Sequence, residues 1–164
     1  MNYLYDKFMK ARPHVFTPLP AIAPHTRSPL NKFQKRLLKD GEFGYFEKKA
    51  RQEGATTALA AFASFYIYTY PESYVLYLAD KYTIASSFKR LVSRDWFDNY
   101  ITSFDPRCFI VSTLESLDAN IIGYTFGLVI IDEVNGKKVT NRHISELAAH
   151  DTLNTIWLST TNMI

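Results

Sequence analysis

The sequence predicts an α/β domain with a mostly parallel sheet of about five strands flanked by helices. From residue 31 onward, short apolar runs alternate with stretches at helical spacing, which is the pattern of alternating strands and helices. The run 128–131 is apolar at every position, and strands without alternation are typical of a parallel sheet buried on both faces. The 164 residues, 47% of them hydrophobic, suit one domain with a substantial core.

The predicted elements follow one another in a regular order. Predicted strands cover residues 43–49, 74–79, 108–112, 128–131 and 155–158. Predicted helices cover residues 31–39, 56–69, part of 84–96, and 143–150. The helix over 56–69 is apolar on nearly every face, which predicts burial, and Pro71 ends it.

The N-terminal residues 1–30 differ from the rest, because they hold five of the seven prolines. Proline fixes φ and removes a backbone donor, so we expect no regular helix or central strand there. The stretch is predicted to be an arm, either extended on the domain or a neighbour, or disordered. The folded domain is expected to cover residues 31–164.

Several classes of site are disfavoured by composition. Cys108 is the only cysteine, which excludes an internal disulfide or a thiolate zinc site within one chain; in its apolar run it is predicted to be a buried core thiol. The net charge of +3 permits an anionic partner without indicating one. We find no signal peptide, and the most apolar stretch, 55–70, is shorter than the ~20 residues that span a bilayer. An intracellular, reducing compartment with no membrane contact is therefore expected.

A first candidate site is the turn 49–57, between a predicted strand and helix. The free N–H groups and the dipole of a helix start favour an anion. Gly54 lets the backbone approach a phosphate, and the Thr56 hydroxyl stands where a P-loop places its Mg²⁺ ligand. The full P-loop pattern fails, with Lys49 at its first glycine and Ala55 at its lysine. A chance strand–turn–helix with glycine is the alternative.

A second candidate site is the end of the apolar run, where Asp132 and Glu133 follow directly. Ligands bind at this end of parallel strands. The first carboxylate can hold Mg²⁺, through water, and the second can polarise an attacking water. Acidic residues in an ordinary loop are the alternative for this pair, but a P-loop-like turn upstream makes coincidence less plausible.

Four segments together resemble terminase large subunits, over roughly residues 30–164. Arg51-Gln52-x-Gly54-x-Thr56-Thr57 resembles the R-Q-x-G-K-T-T turn of that family. Residues 120–134, with Asn120 and Gly123 ahead of an apolar strand and Asp-Glu, are similar to its Walker B stretch. The remaining two likenesses are Phe33-Gln34, which looks like its adenine-reading glutamine, and 158–162, which resembles its coupling motif.

The resemblance implies a three-layer P-loop NTPase of the ASCE type that uses ATP and Mg²⁺. The implied ATP-binding residues are Gln34, Arg51, Gln52, Gly54, Ala55, Thr56 and Thr57. The implied catalytic residues are Glu133, Lys49 and Arg51, the metal ligands are Thr56 and Asp132, and the coupling residues are Ser159, Thr160 and Thr161.

The implied function is ATP hydrolysis that translocates double-stranded viral DNA into a procapsid. By the same resemblance, the partners are double-stranded DNA, a portal protein and a small terminase subunit. A homo-oligomeric ring in the host cytoplasm, outside the mature virion, is implied too. Two alternatives stay open: a catalytically impaired nucleotide-binding or assembly module of the same family, and a helicase-type ATPase fragment.

Two departures from the family bear on activity. Ala55 stands where most members have the phosphate-binding lysine, and Lys49 stands where some, such as the phage lambda terminase, carry a displaced one. Lys49 is expected to reach the phosphates from the other side of the loop. The alternative is that Lys49 is an ordinary charged residue at a strand end, in which case the nucleotide site is impaired. Ile164 follows the coupling motif closely, so the family's nuclease domain is expected to be absent, as in a fragment or split gene product.

Overall fold

The computed structural model describes residues 2–11, 14–16, 27–40, 55–132, 142 and 151–159. Its helices are α1 Asn2–Ala11, α2 Lys32–Asp40, α3 Ala55–Thr69, α4 Tyr82–Asn99 and α5 Leu117–Asn120. Its strands are β1 His14–Phe16, β2 Arg27–Pro29, β3 Val75–Ala79, β4 Phe109–Thr113, β5 Phe126–Asp132 and β6 Asp151–Ser159.

Four strands of the described part form one parallel sheet in the order β4-β3-β5-β6. They match four of the five predicted strands. Ala79 of β3 is in register with Thr113 of β4 and with Asp132 of β5. The carboxyl ends of these three strands therefore lie side by side at one edge of the sheet.

The sheet is covered on both faces, which makes three layers. In β3, Val75, Tyr77 and Ala79 belong to the core cluster that includes α1 to α4, whereas Leu76 and Leu78 belong to a second cluster with α5. All residues of β3 and β5 are buried, as the continuous apolar runs predicted. This arrangement is the predicted α/β class with a parallel sheet flanked by helices.

Helix α3 lies in the middle of the larger cluster. Most of its residues, from Ala55 to Ile67, are buried, in agreement with its apolar sequence on nearly every face. It ends at Thr69, two residues before Pro71, because a residue that precedes proline is disfavoured in the helical region. The predicted helix over 56–69 is therefore confirmed, and it begins at the edge of the sheet that carries the candidate site.

The prediction that residues 1–30 hold no regular helix is wrong for α1. The first proline is Pro13, so the ten residues of α1 precede every proline and nothing interrupts their backbone hydrogen bonds. Leu4 and Phe8 are buried, and the Phe8 ring makes edge contacts with Phe62 at 5.5 Å and with Phe65. Helix α1 thus packs into the core; the domain division at residue 30 stays a prediction.

The environment of Cys108 also differs from the prediction of a buried strand thiol. Cys108 is half-buried and ends a 3₁₀ turn, Pro106–Cys108, that precedes β4. Asp105 begins this turn, because its carboxylate accepts the Arg107 N–H at 3.0 Å. Burial raises the pKa of the Cys108 thiol above its usual value, which makes the nucleophilic thiolate less available.

Two predicted elements, the strand over 43–49 and the helix over 143–150, lie outside the described residues. Within the described residues, no helix combines the length and the apolar character needed to cross a bilayer.

Candidate functional site

Asp132 is the centre of the candidate site. It is the last residue of β5, and its side chain is fully buried. A buried carboxylate is costly unless hydrogen-bond donors reach it. The hydrogen-bond donors that contact Asp132 are therefore the groups that stabilise its carboxylate and orient it.

The first of these groups comes from the start of α3. The Thr56 hydroxyl donates to Oδ2 of Asp132 at 2.8 Å. The structure thus brings together one residue from each of the two sequence motifs. A hydroxyl that donates its proton to a carboxylate keeps its oxygen lone pairs for a cation, so the pair can act as a joint oxygen-ligand set.

The second group is Tyr77, which the sequence analysis did not single out. Its hydroxyl donates to the same Oδ2 of Asp132, and its ring stacks on Phe88 of α4 at 3.9 Å and 8°. Tyr77 is fully buried in β3, so it resembled a core residue. Its place two residues before the end of a strand that neighbours β5 is the signal that could have identified it.

The residues on either side of Thr56 are partly described. Ala55 is the first residue of α3 and is buried, and Thr57 is half-buried in the same first turn. The first-turn N–H groups of a helix have no partner inside the helix and favour an anion. The first turn of α3 therefore presents its backbone N–H groups at the edge of the sheet that holds Asp132.

Gln34 has a structural contact that its predicted role did not include. Its side-chain oxygen accepts the Asn31 N–H at 3.0 Å, and the Asn31 side chain accepts the Gln34 N–H at 2.8 Å. This reciprocal pair is a capping box that begins α2, and Gln34 is buried. Contact with adenine stays a prediction for Gln34.

The backbone of Ser159 lies at the same edge of the sheet. Ser159 is the last residue of β6 and pairs with Ile131 of β5. The other predicted site residues lie outside the described residues: Lys49, Arg51, Gln52, Gly54, Glu133, Thr160 and Thr161. Their roles stay predictions.

The stretch before β5 holds two motif residues with structural contacts. The Asn120 side chain donates to the Ser112 hydroxyl at 3.1 Å, which ties α5 to β4. Gly123 has φ of 85°, a conformation that other residues adopt at a cost. Both residues lie in the connection that leads from β4 into β5.

The donor set at Asp132 suits Mg²⁺. This ion prefers hard oxygen ligands and is commonly held by one or two carboxylates together with substrate phosphates and water. The Asp132 carboxylate and the Thr56 hydroxyl supply such oxygens beside the first turn of a helix. The described residues therefore fit a Mg²⁺-phosphate ligand.

No family model and no curated protein matches the chain. Solved structures with the same fold include the HK97 bacteriophage large terminase, with a TM-score of 0.62 and 15% identity over 97% of this chain and 38% of that one. They also include the UvsW helicase of bacteriophage T4, with a TM-score of 0.59 and 15% identity over 97% of this chain and 60% of that one.

A second structure of T4 UvsW has a TM-score of 0.56 at 15% identity and is covered over 34% of its length. This chain thus spans less than two thirds of each of these proteins. At such low identity the likeness concerns the fold, and it agrees with the resemblance to terminases. The chain has the three-layer α/β fold, with a parallel sheet flanked by helices, that the HK97 large terminase and T4 UvsW share.

Proposed function

We propose that this chain is the ATPase motor domain of a DNA-packaging terminase large subunit, and that it hydrolyses ATP to move double-stranded viral DNA into a procapsid. The observation that carries the proposal is the hydrogen bond between Thr56 and Asp132, residues 76 positions apart. It joins a helix start that suits phosphate to a strand end that suits Mg²⁺.

The reaction in this proposal is phosphoryl transfer from ATP to water. Thr56 and Asp132 would hold Mg²⁺, which neutralises charge on the β- and γ-phosphate oxygens. The turn at Gly54, with Ala55, Thr56 and Thr57 at the helix start, binds the phosphates. Gln52 belongs to the same binding turn.

The remaining roles divide between charge, water and signalling. Lys49 and Arg51 neutralise the γ-phosphate, and Glu133 orients the attacking water. Gln34 contacts adenine. Residues 159–161 sense the loss of the γ-phosphate and pass that change to the parts of the motor that grip DNA. In other nucleotide-driven proteins, such a segment changes its order or its position when the γ-phosphate is lost.

A helicase-type ATPase is the second candidate, because the fold is also that of T4 UvsW. The segment Arg51-Gln52-x-Gly54-x-Thr56-Thr57 favours the terminase, since it follows that family's turn at every position but Ala55. The portal protein, the small terminase subunit and the ring assembly belong to the terminase proposal. Strand separation of duplex DNA by the chain would favour the helicase instead.

Glu133→Gln tests the chemistry of the proposal. The amide keeps the shape of the side chain but cannot act as a carboxylate toward water, so turnover is expected to fall by about 10²–10⁴-fold while ATP affinity hardly changes. Turnover is measured with and without double-stranded DNA, and ATP affinity is measured by calorimetry. Glu72→Gln is the control, because Glu72 is exposed in the turn after α3, at the opposite end of that helix from Thr56.

Two outcomes would contradict this assignment in different ways. Normal turnover in Glu133→Gln would show that another group positions the water. A folded parent that binds ATP without turnover, even with DNA and at high protein concentration, would favour the impaired nucleotide-binding module and point to Ala55.

A further inference from the structure

Tyr77 occupies a position from which it can control the orientation of Asp132. It lies on β3 in register with Ile130 of the neighbouring β5, and its side chain belongs to the core cluster on the face covered by α1 to α4. Its hydroxyl reaches past the register partner to Oδ2 of Asp132 at the end of the strand. A residue in the middle of the core thus contacts the carboxylate of the candidate site.

Two hydroxyls from different elements converge on this one carboxylate oxygen. Thr56 approaches from α3 and Tyr77 approaches from β3. A carboxylate held by donors from two directions cannot rotate without breaking at least one hydrogen bond. Because Asp132 is fully buried, a lost donor there costs more than it would at the surface.

The Tyr77 ring is itself held in place. It is fully buried and lies parallel to the Phe88 ring of α4, with 3.9 Å between the ring centroids. Tyrosine has few rotatable bonds, so a packed ring fixes its hydroxyl. The donor that reaches Asp132 is therefore preorganised by the packing of α4 against β3, as in metal sites whose ligands are oriented by surrounding groups.

We propose that Tyr77 is a positioning residue that fixes the Asp132 carboxylate for Mg²⁺-nucleotide binding. This inference rests on the proposed function, because it assigns Asp132 to the metal side of an ATP site. Tyr77 acts through Asp132, and the Thr56 hydroxyl is the second donor that orients the Asp132 carboxylate. The stacked Phe88 makes helix α4 part of the support of the site.

The test is Tyr77→Phe, which removes only the hydroxyl and keeps the ring on Phe88. Calorimetry with a non-hydrolysable ATP analogue, titrated at a series of Mg²⁺ concentrations, gives the Mg²⁺ concentration for half-maximal binding. That concentration is expected to rise by about 10-fold or more, as is usual when a group that orients a metal ligand is removed. Binding of the analogue in EDTA is expected to stay the same.

Tyr66→Phe is the matched control. Tyr66 is a buried tyrosine of α3 whose hydroxyl interacts with Ser73. The same substitution there is expected to leave the Mg²⁺ dependence of binding unchanged. If both variants shift it equally, the effect is general loosening of the core and the proposal is overturned.

A second variant and a double mutant address the route through Asp132. Phe88→Leu keeps the Tyr77 hydroxyl but removes the stacked ring, and it is expected to raise the Mg²⁺ midpoint by a smaller factor. Adding Tyr77→Phe to Asp132→Asn is expected to produce little further change, because groups that act through one another are not additive. Full additivity would overturn the proposal.

The failure of this inference differs from the failure of the proposed function. A parent that binds the analogue with Mg²⁺, alongside a Tyr77→Phe variant with an unchanged midpoint, overturns the role of Tyr77 alone. A folded parent without any Mg²⁺-dependent binding overturns the nucleotide site and the role of Tyr77 together.

Discussion

At the scale of single residues, the chemistry of the site depends on how hydroxyls and carboxylates meet at one edge of the sheet. Thr56 and Asp132 were identified from sequence because each stands at a turn whose neighbours have a recognisable pattern. In the structure the two side chains are hydrogen-bonded at 2.8 Å, although they are 76 residues apart in sequence. The residues of the predicted turn 49–57, Lys49 among them, are the next group to test.

Lys49→Ala tests the displaced-lysine interpretation. If the Lys49 ammonium supplies the charge that Ala55 cannot, its removal should abolish turnover, because it leaves the γ-phosphate charge without this neutralising group. Lys48→Ala is the matched control, with the same charge change one residue earlier, and only a mild effect on turnover is expected. The measurement is the steady-state rate of ATP hydrolysis by each variant. Equal losses in Lys49→Ala and Lys48→Ala would show that Lys49 has no special role.

What could be predicted for individual residues depended on whether a local pattern marks them. Tyr77 was missed, since a tyrosine within an apolar strand looks like core until the neighbouring strand is known. Gln34 was assigned to adenine, although Asn31-x-x-Gln34 also has the spacing of a capping box. The Gln34 contact was therefore open to prediction from its spacing, whereas the contact of Tyr77 with Asp132 depends on strand order, which sequence alone specifies poorly.

At the scale of elements, α3 and β5 position the site together. Their packing has a tight point at Gly127, where a Cβ atom would collide with the Tyr66 and Ser73 hydroxyls. Burial raises the pKa of Tyr66, although its hydrogen bond with Ser73 opposes that rise. The absence of a side chain at Gly127 therefore lets α3 and the start of β5 approach closely.

Gly127→Ala is expected to destabilise the fold by about 1–3 kcal/mol, the usual cost of overpacking a well-packed core. Adding Tyr66→Phe should recover part of that loss, because it removes one of the two hydroxyls in the way. The free energy of unfolding in denaturant is the measurement. A Gly127→Ala variant as stable as the parent would mean that the Tyr66 and Ser73 side chains can move aside without cost.

The N-terminal elements show where pattern-based prediction of elements fails. Residues 1–30 hold five prolines, but α1 lies wholly before the first of them, Pro13. Helix α3 and strands β3 and β5 were predicted well, because long apolar runs leave few alternatives to burial. Element boundaries near Cys108 depended on a 3₁₀ turn that proline and aspartate create locally.

At the scale of the whole molecule, a parallel sheet covered on both faces provides the frame, and the candidate site lies at one edge of it. The fold is shared with a phage large terminase and a phage helicase at 15% identity, and the same fold can serve different activities. The chain spans 38% of the HK97 terminase, so ATP hydrolysis, DNA movement, the portal and the small subunit are proposals.

The most direct test of the account is a calorimetric titration of the folded chain with ATP in the presence of Mg²⁺, compared with Asp132→Asn. The account predicts measurable binding that depends on Mg²⁺ in the parent and a marked loss of that dependence in Asp132→Asn, because the amide is a neutral and poorer ligand. Asp105→Asn, at an exposed carboxylate beside Arg107 and before the start of β4, should bind like the parent. A folded parent that gives no heat at millimolar Mg²⁺-ATP would contradict the account.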